Sequence, residues 1–260
     1  MSWWQALVLG IVQGLTEFLP VSSSGHLLIA REILGAQAPE DLVFETAVHV
    51  ATALATIIVF RKRIMELLCG LFKFKYNTQT DYIAKICVSM IPVAVVGFFF
   101  KDQVEALFSS LPVVGAALLL TARLLFLSDK VRKTGEKISF WQAVVIGLGQ
   151  AVAVIPGLSR SGTTISTGLL CGVKRESVAE FSFLMVLVPI LGEAFLDVAG
   201  GDLAASAVGV LPVAIGFAAA FISGLFACKA MVALVKKAGL KWFALYCAIV
   251  GALVLAFTIL

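Results

Sequence analysis

Two polar stretches interrupt an otherwise apolar chain, and their residue types suit phosphate chemistry. The first runs Gln13-Gly14-Leu15-Thr16-Glu17-Phe18-Leu19-Pro20-Val21-Ser22-Ser23-Ser24-Gly25-His26. Gln13 and Glu17 are four residues apart and share one helix face. Pro20 ends that helix, and the serines then bring hydroxyls and His26 to the start of the next. The second stretch runs Pro156-Gly157-Leu158-Ser159-Arg160-Ser161-Gly162-Thr163-Thr164. An arginine among Ser, Gly and Thr at a helix start fits a phosphate, which takes bidentate guanidinium bonds, hydroxyl bonds and the free backbone N–H groups. Hydroxyl nucleophiles, an imidazole, a carboxylate and a guanidinium together make an inventory for phosphoryl transfer. Glu45, at the mouth of the apolar segment 42–60, is a candidate second carboxylate for a divalent metal. His49, one turn further on, reads as a packed core histidine.

Blander readings compete at each point. The serines can be a helix-capping cluster, with Glu17 reaching to an interface. Arg160 can form a structural ion pair with Glu17 or Glu45. The same inventory without hydrolysis suits a carrier of phosphorylated lipids.

These residues must be positioned by elements that lie in lipid. Of 260 residues, 60% are hydrophobic and 14% are charged, and the mean hydropathy is +1.03. No soluble domain of this length buries so much apolar surface, so most of the chain is expected in a bilayer. A charged side chain at that depth is costly, which makes Glu17, His26 and Arg160 functional candidates. Residues 1–20 show no basic leader region, so no cleavable signal is expected. Cys69, Cys87, Cys171, Cys228 and Cys247 have no ligand spacing and read as structural thiols.

Six apolar segments, 42–60, 82–100, 111–127, 178–196, 205–226 and 240–259, are long enough to span. Segments 3–19 and 140–155 are shorter, and each runs through its polar loop into a second short piece, 27–34 and 163–172. Such half-length pairs predict re-entrant helical hairpins. They are also repeats: Trp4 to Gln13 returns as Trp141 to Gln150, 137 residues on, and the same register carries Ser22, Ser24 and Gly25 onto Ser159, Ser161 and Gly162. Ile91-Pro92-Val93-Ala94 is a further echo of Leu211-Pro212-Val213-Ala214.

Loops 61–81, 128–139, 174–175 and 229–241 hold 15 of the 20 basic residues, whereas loops 101–110 and 197–204 offer only Lys101. The positive-inside rule makes the basic group cytoplasmic. Each half then has one hairpin and three crossings, an odd number, so the second half is expected inverted with the hairpin tips meeting near the midplane. The expected fold is one all-α polytopic membrane domain over 1–260, with repeat 1 at 1–127 and repeat 2 at 140–260.

At these residues the chain resembles the undecaprenyl pyrophosphate phosphatase family of the bacitracin-resistance type, over essentially its whole length. The motifs are Gln13-x-x-x-Glu17 running into Pro20-Val21-Ser22-Ser23-Ser24-Gly25-His26, and Pro156-Gly157-Leu158-Ser159-Arg160-Ser161-Gly162-Thr163-Thr164. The resemblance implies hydrolysis of undecaprenyl diphosphate to the monophosphate carrier of peptidoglycan synthesis, with Mg or Ca as cofactor. It implies six spanning helices plus two re-entrant hairpins in the bacterial inner membrane, and a site open to the periplasmic face. By motif position, Ser23 would be the nucleophile and His26 its proton partner. Glu17 would bind metal, and Arg160 with Ser159, Ser161, Gly162 and Thr164, and Ser22 from the first tip, would hold the diphosphate. Gln13 stands where the family also carries a glutamate, and its amide is the weaker metal ligand; a second acid, if required, falls to Glu45. Which of Ser22, Ser23 and Ser24 attacks, or whether His26 does, stays open. A polyprenyl diphosphate lipid and the bilayer are the expected partners, nucleic acid is not, and a homodimer is admissible. Phosphatidic-acid-phosphatase enzymes need a histidine after the Ser-Arg element, and none follows Arg160 here. A polyprenyl-phosphate transporter or flippase is the rival reading.

Overall fold

The computed structural model describes residues 1–36, 42–108, 110–131, 135, 137–200, 208–237 and 239–259. Arg132 and Lys133 of the basic loop, and residues 201–204 of the loop 197–204, lie outside the described residues. The described chain is helical throughout, without a β-strand. Six helical stretches are long and apolar enough to span: Leu42–Val59, Thr78–Phe99, Leu111–Asp129, Arg175–Gly200, Val210–Val235 and Lys241–Thr258. Each overlaps one of the six expected segments; residues 205–207 of the segment 205–226 lie outside the described residues, and its helix runs on beyond 226.

The elements of the first half are α1 (Trp3–Phe18), α2 (Ser23–Leu34), α3 (Leu42–Val59), α4 (Arg61–Leu71), α5 (Thr78–Phe99), α6 (Lys101–Phe108) and α7 (Leu111–Asp129). Those of the second are α8 (Phe140–Val152), α9 (Arg160–Leu170), α10 (Arg175–Met185), α11 (Leu187–Gly200), α12 (Val210–Lys237) and α13 (Lys241–Ile259). The fourth span is broken at Val186, between α10 and α11. Pro189 is the cause: it has no N–H for the Met185 carbonyl, and the ladder is interrupted there.

Both short pairs are helical hairpins, α1 against α2 and α8 against α9. Their lengths of 16, 12, 13 and 11 residues are all below the ~20 a crossing needs. The repeat extends to single bonds. Ser2 and Gln5 form a capping box at α1, and Ser139 and Gln142 form the same box at α8. The Gln5 side-chain amide then donates to the Leu34 carbonyl at 3.1 Å, and Gln142 to the Cys171 carbonyl at 3.0 Å. Each bond ties the open ends of its hairpin together.

Packing partners are exchanged between the halves. α1 lies along α12, the fifth element of the pattern in the second half, while α8 lies along its counterpart α5; α7 and α13 pack on each other. Close approach of α1 to α12 depends on glycine. A Cβ on Gly10 would sit 2.3 Å from the Gly216 carbonyl oxygen, and one on Gly14 would sit 2.0 Å from Ser223 Oγ. The Ile-Pro-Val-Ala echo does not mark equivalent sites: Pro92 is deep inside α5, whereas Pro212 lies in the first turn of α12.

The basic segments gather at one end, but they are not all loops: residues 61–71 form α4, and Lys229, Lys236 and Lys237 belong to α12. Arg175 and the Leu240 backbone N–H both bond Asp129 Oδ1, at 2.9 and 2.7 Å. Arg63 bonds Glu180 at 2.9 Å. A cavity of about 520 Å³ at this end is lined by Arg63, Asp81, Lys85, Lys137 and Glu176 among others. Large apolar side chains such as Phe98, Phe195, Phe226 and Phe257 point outward, as lipid-facing residues do. All five cysteines are free thiols.

Candidate active site

Glu17 is the centre of the site. It lies in the last turn of α1, and its side chain is only 5% exposed. The Gln13 amide donates to Glu17 Oε2 at 2.9 Å, as expected for residues sharing one helix face. Ser23, the first residue of α2, donates its hydroxyl to the same oxygen at 2.7 Å. The other oxygen, Oε1, receives the guanidinium of Arg160 from the start of α9. The nucleophile candidate and the phosphate-clamp candidate, 137 residues apart in sequence, thus meet on one buried carboxylate.

The tips that deliver them are held rigidly. Ser22 caps α2 at φ 72°, ψ 100°, a left-handed backbone that costs a non-glycine residue about 1–3 kcal/mol. Its hydroxyl accepts the Gly25 N–H at 3.3 Å and lies 3.3 Å from Ser24 Oγ. Ser159 caps α9 the same way, accepting the Gly162 N–H at 3.1 Å, and its own N–H donates to Thr121 Oγ1 at 3.0 Å. Ser161 crosses between the tips, donating to the Leu19 carbonyl at 3.2 Å. Gly25 and Gly157 touch: a Cβ on Gly25 would lie 3.1 Å from Gly157 Cα.

Other expected residues are placed differently. Thr164 is fully buried, donating to the Arg160 carbonyl at 2.8 Å with Ser182 Oγ 2.6 Å away. It braces α9 against α10. Glu45 pairs with Arg31 at 2.5 Å, a bond between α3 and α2 that occupies it away from Glu17. His26 spends both ring nitrogens elsewhere than on Ser23: Nδ1 on the Ser22 carbonyl at 2.7 Å, Nε2 against Tyr246 Oη at 2.8 Å. His49 bonds the Glu45 carbonyl through Nδ1 at 2.9 Å and lies within electrostatic reach of Glu17.

A cavity of about 10 Å³ adjoins Glu17 and Arg160, lined also by Thr52, Thr56, Ser161 and Ser182. That is room for roughly one water. Thr52 and Thr56 went unnoticed in the sequence, although His49, Thr52 and Thr56 follow the spacing of one helix face in α3. Tyr246 had no such signal, since it sits alone on an apolar helix.

Hard cations take oxygen ligands, and the oxygens nearest the Glu17 carboxylate belong to the Ser23 hydroxyl and the Gln13 side-chain amide. Gln13 Oε1 is buried without a hydrogen-bond partner, an unusual state for an interior acceptor. With the Glu17 carboxylate and Ser23 Oγ it is an oxygen that could hold a hard cation, were the Gln13 amide to turn its oxygen where its nitrogen now bonds Glu17. Among the described residues no three His, Cys, Asp or Glu side chains cluster, so such a cation would depend on this mixed set.

The profile of the family described as bacitracin resistance protein BacA matches residues 6–253. The chain belongs to the BacA family. Its BacA relatives include a Parabacteroides distasonis protein named undecaprenyl-diphosphatase, 54% identical with all of both chains covered. A Bacteroides fragilis protein of the same name is 52% identical, covering 96% of each chain. A more distant one, from Carboxydothermus hydrogenoformans, is 38% identical over 98% of this chain and 97% of its own.

Proposed function

We infer that this protein is an undecaprenyl-diphosphatase of the bacterial inner membrane, releasing the terminal phosphate of undecaprenyl diphosphate and returning the monophosphate to peptidoglycan synthesis. The carrying observation is the meeting of Ser23 and Arg160 on Glu17. Family membership and the names of relatives at above 50% identity support the substrate.

Ser23 Oγ attacks the terminal phosphorus. Its proton passes to Glu17 Oε2, where the hydroxyl already donates; the new Oγ–P bond forms as the anhydride P–O bond breaks, and the lipid leaves as its monophosphate. Water then cleaves the phosphoserine, releasing inorganic phosphate and restoring the hydroxyl. Arg160 moves from the carboxylate to the phosphoryl oxygens and neutralises charge as it develops there. A divalent cation (Mg or Ca) held by Glu17 and Gln13 Oε1 would add further charge neutralisation. The N-terminal amides of α2 and α9 supply the remaining donors.

The hairpins enter from opposite faces in this reading. α3 leads into the basic loop 61–81, so hairpin α1–α2 opens to the periplasm; hairpin α8–α9 lies between basic loops 128–139 and 174–175 and opens to the cytoplasm. The tied hairpin ends and the exchanged packing of α1 and α8 support it.

Purified protein given undecaprenyl diphosphate is expected to release phosphate, and Ser23→Ala and Arg160→Ala to lose that activity. Near-full turnover in both variants would overturn the site. A wild type that releases none, yet moves polyprenyl phosphate across vesicles, would establish the carrier reading instead.

A further inference from the structure

The geometry points to Tyr246, on α13, as a positioning residue that sets the tautomer of His26 and so holds the attacking serine in place. This rests on the phosphatase reading and adds to it a residue from the far end of the chain.

The chemistry follows from the two ring nitrogens. Nδ1 faces the Ser22 carbonyl at 2.7 Å. A carbonyl oxygen only accepts, so Nδ1 carries the proton. The neutral ring then has its one lone pair at Nε2, and the group there is the Tyr246 hydroxyl at 2.8 Å. The rings also stack, with centroids 5.6 Å apart and planes 13° from parallel. Which nitrogen of a histidine is protonated is set by the bond the other one makes. Donation from Tyr246 Oη selects the Nδ1–H form, the only neutral form that can bond Ser22.

That bond matters because of where Ser22 is. It is the α2 cap at φ 72°, the residue before Ser23, and such a backbone persists only where its surroundings hold it. His26 braces the Ser22 carbonyl from inside the first turn, and the brace aims Ser23 Oγ at Glu17. His26 therefore supports the nucleophile through the main chain, and the proton of Ser23 goes to Glu17. Since Tyr246 belongs to the second half and Ser22 to the first, the contact also couples the halves at the point of attack.

The test is a double-mutant cycle on phosphate release from undecaprenyl diphosphate. Tyr246→Phe is expected to lower kcat about three- to tenfold, the effect of one hydrogen bond, with KM changed less than about twofold. In a His26→Asn background the same substitution is expected to do nothing, because Asn has no atom at the Nε2 position. Asn does keep a donor at the Nδ1 position, so His26→Asn should retain activity well above His26→Gln, which loses it. Wild-type kcat in Tyr246→Phe, equal losses in both backgrounds, or His26→Asn as inactive as His26→Gln would each overturn the proposal. A readout independent of turnover is the ¹⁵N spectrum of labelled imidazole; the chain has only two histidines, and His49→Gln assigns the pair. Wild type should show Nδ1–H alone at His26, and Tyr246→Phe a mixture of tautomers. An unlocked wild-type ring sinks the inference, whereas a locked ring in a protein that releases no phosphate sinks only the phosphatase reading.

Discussion

Replacing Glu17 by glutamine should separate binding from chemistry in opposite directions. In the resting site Arg160 is committed to Glu17, and a phosphate must compete with that carboxylate. A charged hydrogen bond contributes about 1.5–3 kcal/mol; Arg160 is 26% exposed, which places this one at the lower end. Removing the charge while keeping the shape therefore frees the guanidinium by roughly 1.5 kcal/mol, or about tenfold in affinity. The reacting step loses its proton acceptor for Ser23, worth about 10²–10⁴ in rate. The assay is phosphate release under saturating substrate, paired with equilibrium binding of a non-hydrolysable polyprenyl diphosphonate in chelator, so that metal affinity does not enter. Glu17→Gln is expected to bind the diphosphonate about tenfold more tightly than wild type and to turn over at least about a hundredfold more slowly. Weaker binding in the metal-free measurement would refute the competition, and turnover within tenfold of wild type would refute the proton transfer.

Three further outcomes follow from the same geometry. Chelation by EDTA should abolish phosphate release and added Mg or Ca should restore it; full activity in chelator would remove Glu17 and Gln13 as ligands. Gln13→Glu converts the orphaned amide oxygen into a second carboxylate oxygen, and should lower the metal concentration for half-maximal activity; an unchanged requirement would show that position 13 does not ligate. Gly14→Ala drives a methyl to within 2.0 Å of Ser223 Oγ and 2.5 Å of the Ala220 carbonyl, forcing α1 off α12 at a cost of about 1–3 kcal/mol. Thermal unfolding in detergent should register the loss, and an unshifted transition would contradict the packing.

Much of the architecture was legible in the sequence because lipid simplifies the code. Where water is excluded, a run of about twenty apolar residues has few alternatives to a spanning helix, and each of the six spans overlaps an apolar run of the sequence. The break at Val186 needed Pro189 to be read as an interruption, and Pro92 shows why that reading fails on its own: its helix continues through it. At the site, the helical spacing of Gln13 and Glu17 and the loop residues Ser23 and Arg160 announced themselves by polarity in an apolar setting. The ion pair between Arg160 and Glu17 was one of two structural pairings the residues allowed; the other acid, Glu45, is taken by Arg31. Thr164 shares its motif with Arg160 and lies one turn further along α9, but its hydroxyl is spent on the Arg160 carbonyl and on Ser182, and a motif does not say which of its hydroxyls is left for the substrate. Tyr246 was invisible because its partner lies 220 residues away. Local periodicity carries no information about such a contact.

The tight fit around Glu17 and Arg160 has a consequence for selectivity in a crowded bilayer. Ordinary phospholipids are phosphodiesters with a single negative charge, and they outnumber any polyprenyl carrier. A lone charge offers the guanidinium nothing beyond what the native carboxylate supplies, so these bystanders leave the latch shut. A diphosphate brings two or three charges, enough to draw the arginine across. The resting salt link thereby acts as a charge threshold, opening for the recycled anhydride and ignoring the surrounding membrane.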